Sequence, residues 1–132
     1  MMTVLQPPGW ARPRGFANGL AVRGGTTVYI AGQIGSTGEG RWEETTFGGQ
    51  FRQALANILQ VLAQAGGKPE HLVRLTWYVL DKKEYLGALR DVGAAYRELM
   101  GRHYPVMAVL QVGALVEDAA RLEIEATAVI PD

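Results

Sequence analysis

Two carboxylates stand two residues apart in RLEIEATAVI, the stretch from Arg121 to Ile130. Alternation there puts Leu122, Ile124, Ala126 and Ala128 on one face of a β-strand and Arg121, Glu123, Glu125 and Thr127 on the other. A carboxyl group at such a place has two uses. Among apolar neighbours it holds its proton more tightly and can position a water or shuttle a proton. Beside a cation, either Arg121 or Arg74 across the sheet, it is an ion-pair partner. Glu125 reads as an interface or solvent residue.

Other chemistries are narrowed by composition. The chain of 132 residues has 13 Lys plus Arg and 13 Asp plus Glu, so no basic field invites nucleic acid or an anionic membrane. Without cysteine there is no disulfide, no thiol nucleophile and no Cys-based zinc site. His71 and His103 lie far apart, which suits structural roles better than metal ligation, and neither a metal nor a cofactor is expected. The opening residues hold no long apolar run, so neither a signal peptide nor a membrane span is predicted and the cytoplasm is the expected compartment.

The elements that carry these residues follow from periodicity. QPPGWARPRGF, with three prolines, suits an extended arm, placed at residues 1–16, with Trp10 as its anchor. Ala17 to Val22 is read as a strand pairing across Gly24 and Gly25 with the strand VYIAGQIG, Val28 to Gly35. Phe47, Phe51, Leu55, Ile58 and Leu62 recur at helical spacing between a Thr45 or Thr46 cap and Gly66 with Gly67. HLVRLTWYVL alternates, with Val73, Leu75, Trp77 and Val79 opposite Arg74, Thr76 and Tyr78. Asp81 and Glu84 resemble a capping box for one helix bearing Tyr85, Leu89, Val92, Tyr96 and Leu99, stopped by Gly101. Close packing is the expected reason for its Gly87 and Gly93. Pro105 to Val112 is a further strand.

The predicted architecture is α+β: a single mixed sheet with two helices on one face, in one domain of residues 1–132. The uncovered face collects Arg74, Thr76 and Tyr78, then Met107, Val109 and Gln111, then Glu123, Glu125 and Thr127. It is too mixed for a core and too apolar for open water. Such a face meets another subunit, and ligand sites form in the seam.

The chain resembles the Rid family, for reactive intermediate deaminase, also called YjgF-like and labelled L-PSP endoribonuclease. The resemblance is carried by RGFANG, YIAGQIG, FRQALANILQVLAQAGG, VRLTWYVLD and the final YPVMAVLQV with LEIEATAVI. It implies a chorismate-mutase-like fold and a homotrimer with a small-molecule pocket between neighbouring subunits. Deaminating members clamp the substrate carboxylate with an arginine in a stretch like P-A-R-S. Here Pro105, Val106, Met107 and Ala108 stand there, with Met107 at the arginine position. A pocket tyrosine corresponds to Phe16, a helix asparagine to Leu89, and the polar positions after the arginine to Ala108 and Val109. Glu123 and Gly32 match the family's glutamate and glycine.

A thioether cannot replace the bidentate grip of a guanidinium. The resemblance therefore implies an imine or enamine hydrolase acting on a small metabolite without the usual arginine-clamped carboxylate. Glu123 is its acid or base, and Phe16, Gly32, Leu89, Met107 and Val109 line its substrate site. The alternatives are a trimer that binds a small molecule without turning it over and, less well supported, an endoribonuclease, against which zero net charge argues. An arginine of the arm, Arg12 or Arg14, is the available substitute for the missing clamp.

Overall fold

The structure, a computed structural model, describes residues 2–132, so residue 1 of the expected arm lies outside it. The arm begins as a strand, β1 (Met2–Leu5), paired antiparallel with β2 (Gly19–Val22). Trp10 does not anchor the segment between them, being 63% exposed. The side chain of Gln6 ties it instead, donating to the Trp10 carbonyl at 3.1 Å and accepting from Asn18 Nδ2 at 3.0 Å.

The expected hairpin between β2 and the next strand does not form. Gly24 and Gly25 do turn the chain, with φ of +66° and +82°. They deliver β3 (Thr26–Ile34) to the antiparallel partner β6 (Leu122–Ile130), while β1 occupies β2. Gly25 lies so close to the Ile130 backbone that a Cβ there would stand 3.1 Å from its carbonyl carbon, so only glycine fits this entry.

Helix α1 (Phe47–Ala63) is the one expected: Thr46 Oγ1 accepts from Gly49 N at 3.0 Å, and Phe47, Phe51, Leu55, Ile58 and Leu62 are buried. A single 3-10 turn, Pro69–His71, leads into β4 (Leu72–Val79). An irregularity in the β4–β6 ladder between Leu72 and Arg74 buries Leu72 where alternation selected Val73. The single helix predicted after β4 is two, α2 (Lys82–Gly87) and α3 (Leu89–Met100), broken at Ala88 with φ −106° and ψ 10°. Gly87 borders open space rather than a packed surface, and Gly93 faces only the Arg97 guanidinium. Low helix propensity beside the break is the physical account of Gly87. Asp81 caps Lys83 N at 2.9 Å, but Glu84 does not close the capping box and turns to Arg121.

With β5 (Val106–Gln111) the main sheet runs β3-β6-β4-β5, parallel only between β4 and β5. A parallel bridge between Ala17 and Val106 joins the β1–β2 ribbon to the β5 edge. Leu75, Trp77 and Val79 of β4 and Leu122, Ile124, Ala126 and Ala128 of β6 meet the apolar sides of α1 and α3 in one core. The result is α+β, a mixed sheet with all its helices on one face, and the other face is left uncovered.

Candidate functional site

Each histidine holds backbone. His71 Nδ1 accepts from Lys68 N at 2.9 Å, and His103 Nε2 lies 2.6 Å from the Leu72 carbonyl oxygen. Among the described residues no group of three or more metal-ligating side chains converges.

A cavity of about 450 Å³ opens on the helix-covered side, between the start of α3, the end of the arm and β5. Phe16, Leu89, Met107 and Val109 line it together, as the resemblance implied. Trp77 contributes from β4, packed against Phe51 with ring centroids 4.8 Å apart and edge-on to Tyr85. Its Nε1 is the one buried side-chain polar atom without a hydrogen-bond partner among the described residues. Tyr96 stacks on Tyr104, centroids 5.5 Å apart, and donates to the His103 carbonyl at 2.5 Å. Burial raises the pKa of Tyr85 and of Tyr96, so both phenols stay protonated. The cations of the lining are Arg14 and Arg97, and no carboxylate belongs to it.

Met107 and Val109 reach this cavity because β5 has the opposite parity to that expected. Parallel register pairs Leu75 with Met107 and Trp77 with Val109, so these side chains share the helix side. Val106, Ala108 and Leu110 take the uncovered face beside Arg74, Thr76 and Tyr78. Gln111 is likewise drawn to the helix side, its Oε1 accepting from Lys82 N at 2.8 Å.

Glu123 and Gly32 are elsewhere in the chain. Antiparallel register sets Glu123 opposite Tyr78 and Glu125 opposite Thr76, on the uncovered face. The Glu123 side chain lies over Gly32, where the β3–β6 ladder is irregular between Ile30 and Gln33. A Cβ on Gly32 would collide with its Oε2 and stand 2.8 Å from its Cδ. The ion-pair alternative for Glu123 is not realised within the chain. Arg121 instead pairs with Glu84 at 2.5 Å and donates from Nε to the Thr45 carbonyl at 2.7 Å. Glu125 accepts from Tyr78 Oη at 2.6 Å, and that bond, then burial, then the charges of Glu125 and Glu123 raise the Tyr78 pKa.

Gly32→Ala is therefore expected to swing the Glu123 carboxylate off the strand while the melting temperature stays close to wild type, because only the free end of a flexible side chain must give way. A crystal structure of the variant with an unmoved carboxylate would contradict this.

Two residues that the sequence reading passed over hold the loops at the strand ends. Gln50, 2% exposed, donates to the carbonyls of Glu44 and Ala119 at 3.2 and 2.9 Å and accepts from Arg121 N at 2.8 Å. Asn57 donates to the Ser36 carbonyl at 2.8 Å. Their signal was available: both are amides on the apolar stripe of α1, and a buried amide there must find partners. Trp77, Tyr85 and Tyr96 were read as core because helix or strand spacing accounts for them without a cavity.

A family model described as Endoribonuclease L-PSP matches residues 13–130. A RutC family protein of Pyrococcus horikoshii is 31% identical over 111 residues, 82% of each chain. Among solved structures, YyfB of Yersinia pestis, from the conserved Rid protein family, superposes with a TM-score of 0.86 at 28% identity, covering 98% of both chains. RidA of Psychrobacter sp. PAMC 21119 gives 0.68 at 28% identity, covering 91% of this chain and 92% of that one. The chorismate-mutase-like fold is thus shared over nearly the whole length, and the chain belongs to the endoribonuclease L-PSP family, the Rid or YjgF proteins.

Proposed function

We propose that residues 1–132 act as one Rid-type domain in a homotrimer that hydrolyses an imine or enamine, with each site built from two subunits. One subunit supplies the cavity of Phe16, Leu89, Met107 and Val109, and its neighbour supplies Glu123 over Gly32. The observation that carries this reading is a complementary deficiency: the cavity has no acid, and the acid stands on an uncovered sheet face outside the cavity. Exposed Leu110 and Tyr29, 46% and 81% accessible, mark that face as one suited to burial against another copy. Glu123 would deliver a proton to the leaving nitrogen or position the attacking water, and the apolar cavity would keep bulk water away. Met107 in place of an arginine favours the second reading, binding without turnover.

Mixed trimers test the shared site. Glu123→Gln subunits and Leu89→Trp subunits, the latter with a filled cavity, are each expected to be inactive on an imine generated by an amino-acid oxidase. Unfolded together and refolded at equal amounts, they should regain about a quarter of wild-type activity, the fraction of sites pairing a sound cavity with a sound acid. Light scattering should report a trimer throughout. A monomer, or no recovery from an active wild type, rules out the two-subunit site.

A further inference from the structure

We infer that the cavity takes a carboxylate with a bulky apolar or aromatic body, gripped by Arg14 and Arg97 in place of an arginine at Met107. The inference rests on the cavity being the substrate site of the proposed function. Arg14 reaches the cavity from the arm and Arg97 from α3, so the two cations approach from different elements. Among the described residues neither makes a hydrogen bond or an ion pair, whereas Arg41, Arg52 and Arg121 are all paired with glutamates. With no carboxylate in the lining, an anion is the complement that these two charges lack. The body of the ligand is set by the walls. Phe16, Leu89, Tyr104 and Val109 surround the opening and are each at least 36% exposed, an arrangement that an apolar group would cover.

A third observation points the same way. The unpartnered Nε1–H of Trp77 belongs to the cavity lining and is shut off from water. A buried donor left unmade is costly, and an oxygen of a bound ligand would satisfy it. Two guanidinium groups and one indole N–H are donors only, so the recognised head group must be acceptor-rich. A carboxylate fits that demand and a neutral amine does not. A cavity of about 450 Å³ has room for a phenyl-sized body as well.

The probes are 3-phenylpropionate, its neutral counterpart 3-phenylpropanamide, and acetate, titrated calorimetrically into the wild-type protein and the single variants Arg14→Gln and Arg97→Gln. The acid should bind roughly tenfold more tightly than the amide, and acetate more weakly than the acid. Each arginine variant should lower the acid affinity several-fold and leave that of the amide unchanged, and added salt should erode the preference. Both variants alter exposed side chains, so thermal melting should be unaffected. Equal binding of acid and amide, binding of neither, or an acid preference that survives both variants overturns the clamp. Imine hydrolysis is scored separately with a neutral and a carboxylated substrate. Turnover of the neutral substrate without acid preference would sink the clamp and spare the hydrolase. Acid preference without turnover of either substrate would sink the hydrolase and spare the clamp.

Discussion

Glu123→Gln should lower imine hydrolysis by about 10²–10⁴-fold, the contribution of a positioned acid or base, while the protein folds and assembles as before. The amide keeps the shape of the carboxylate but cannot exchange a proton with a leaving nitrogen or a water. Packing over Gly32 is preserved, because Gln matches Glu in length. The neighbouring acid is the control. Glu125 lies two residues along the same strand face, roughly 6–7 Å away, and its carboxylate is already engaged by Tyr78 Oη at 2.6 Å. Glu125→Gln should leave turnover within about threefold of wild type, since it touches the sheet face rather than the proton path. Steady-state rates on one imine, with melting curves for both variants, separate the roles. Equal losses in the two variants would reduce the paired acids to structural residues of the uncovered face, and the binding-protein reading would then take over.

How much of this was legible beforehand depended on whether a stretch had one apolar face or two. Helix α1 was plain because Phe47, Phe51, Leu55, Ile58 and Leu62 form a single stripe closed by Thr46 and Gly66. β4 and β6 were plain for the same reason at period two, apart from the irregularity that exchanged Leu72 for Val73. β5 was not. VMAVLQ is apolar in both parities, so nothing in the strand itself chose between Met107 with Val109 and Val106 with Ala108 for the helix side; the parallel register to β4 made the choice. That reversal gathers Met107 and Val109 with Phe16 and Leu89, and it separates them from Glu123 within one chain. The β2–β3 hairpin failed because turn residues specify a change of direction and not a partner. The capping box failed because Glu84 had a competitor in Arg121, thirty-seven residues away in sequence. Long-range partners of this kind leave no local mark.

Phe51→Ala should cost about 3–5 kcal/mol of stability, the range for truncating a large aromatic side chain in a packed core. Phe51 has no exposed surface, and it belongs to the one cluster that joins α1, α3 and the sheet. A loss of that size is a large share of the roughly 5–15 kcal/mol that holds a domain of this kind together. Its effect should also reach the site. Phe51 lies 4.8 Å from Trp77, centroid to centroid, and Trp77 in turn lines the cavity and meets Tyr85 edge-on. A void behind the indole removes the contact that fixes its plane, so the cavity wall loosens together with the core. Denaturant melts measure the first effect. Intrinsic fluorescence of the still-folded variant measures the second, with Trp10 and Trp42 replaced by Phe in both backgrounds to isolate Trp77. A red-shifted and more readily quenched Trp77 is expected. A destabilisation below about 1 kcal/mol would mean that the void collapses without cost. An unchanged Trp77 spectrum in a destabilised variant would mean that the cavity wall is held by Tyr85 and β5 rather than by α1.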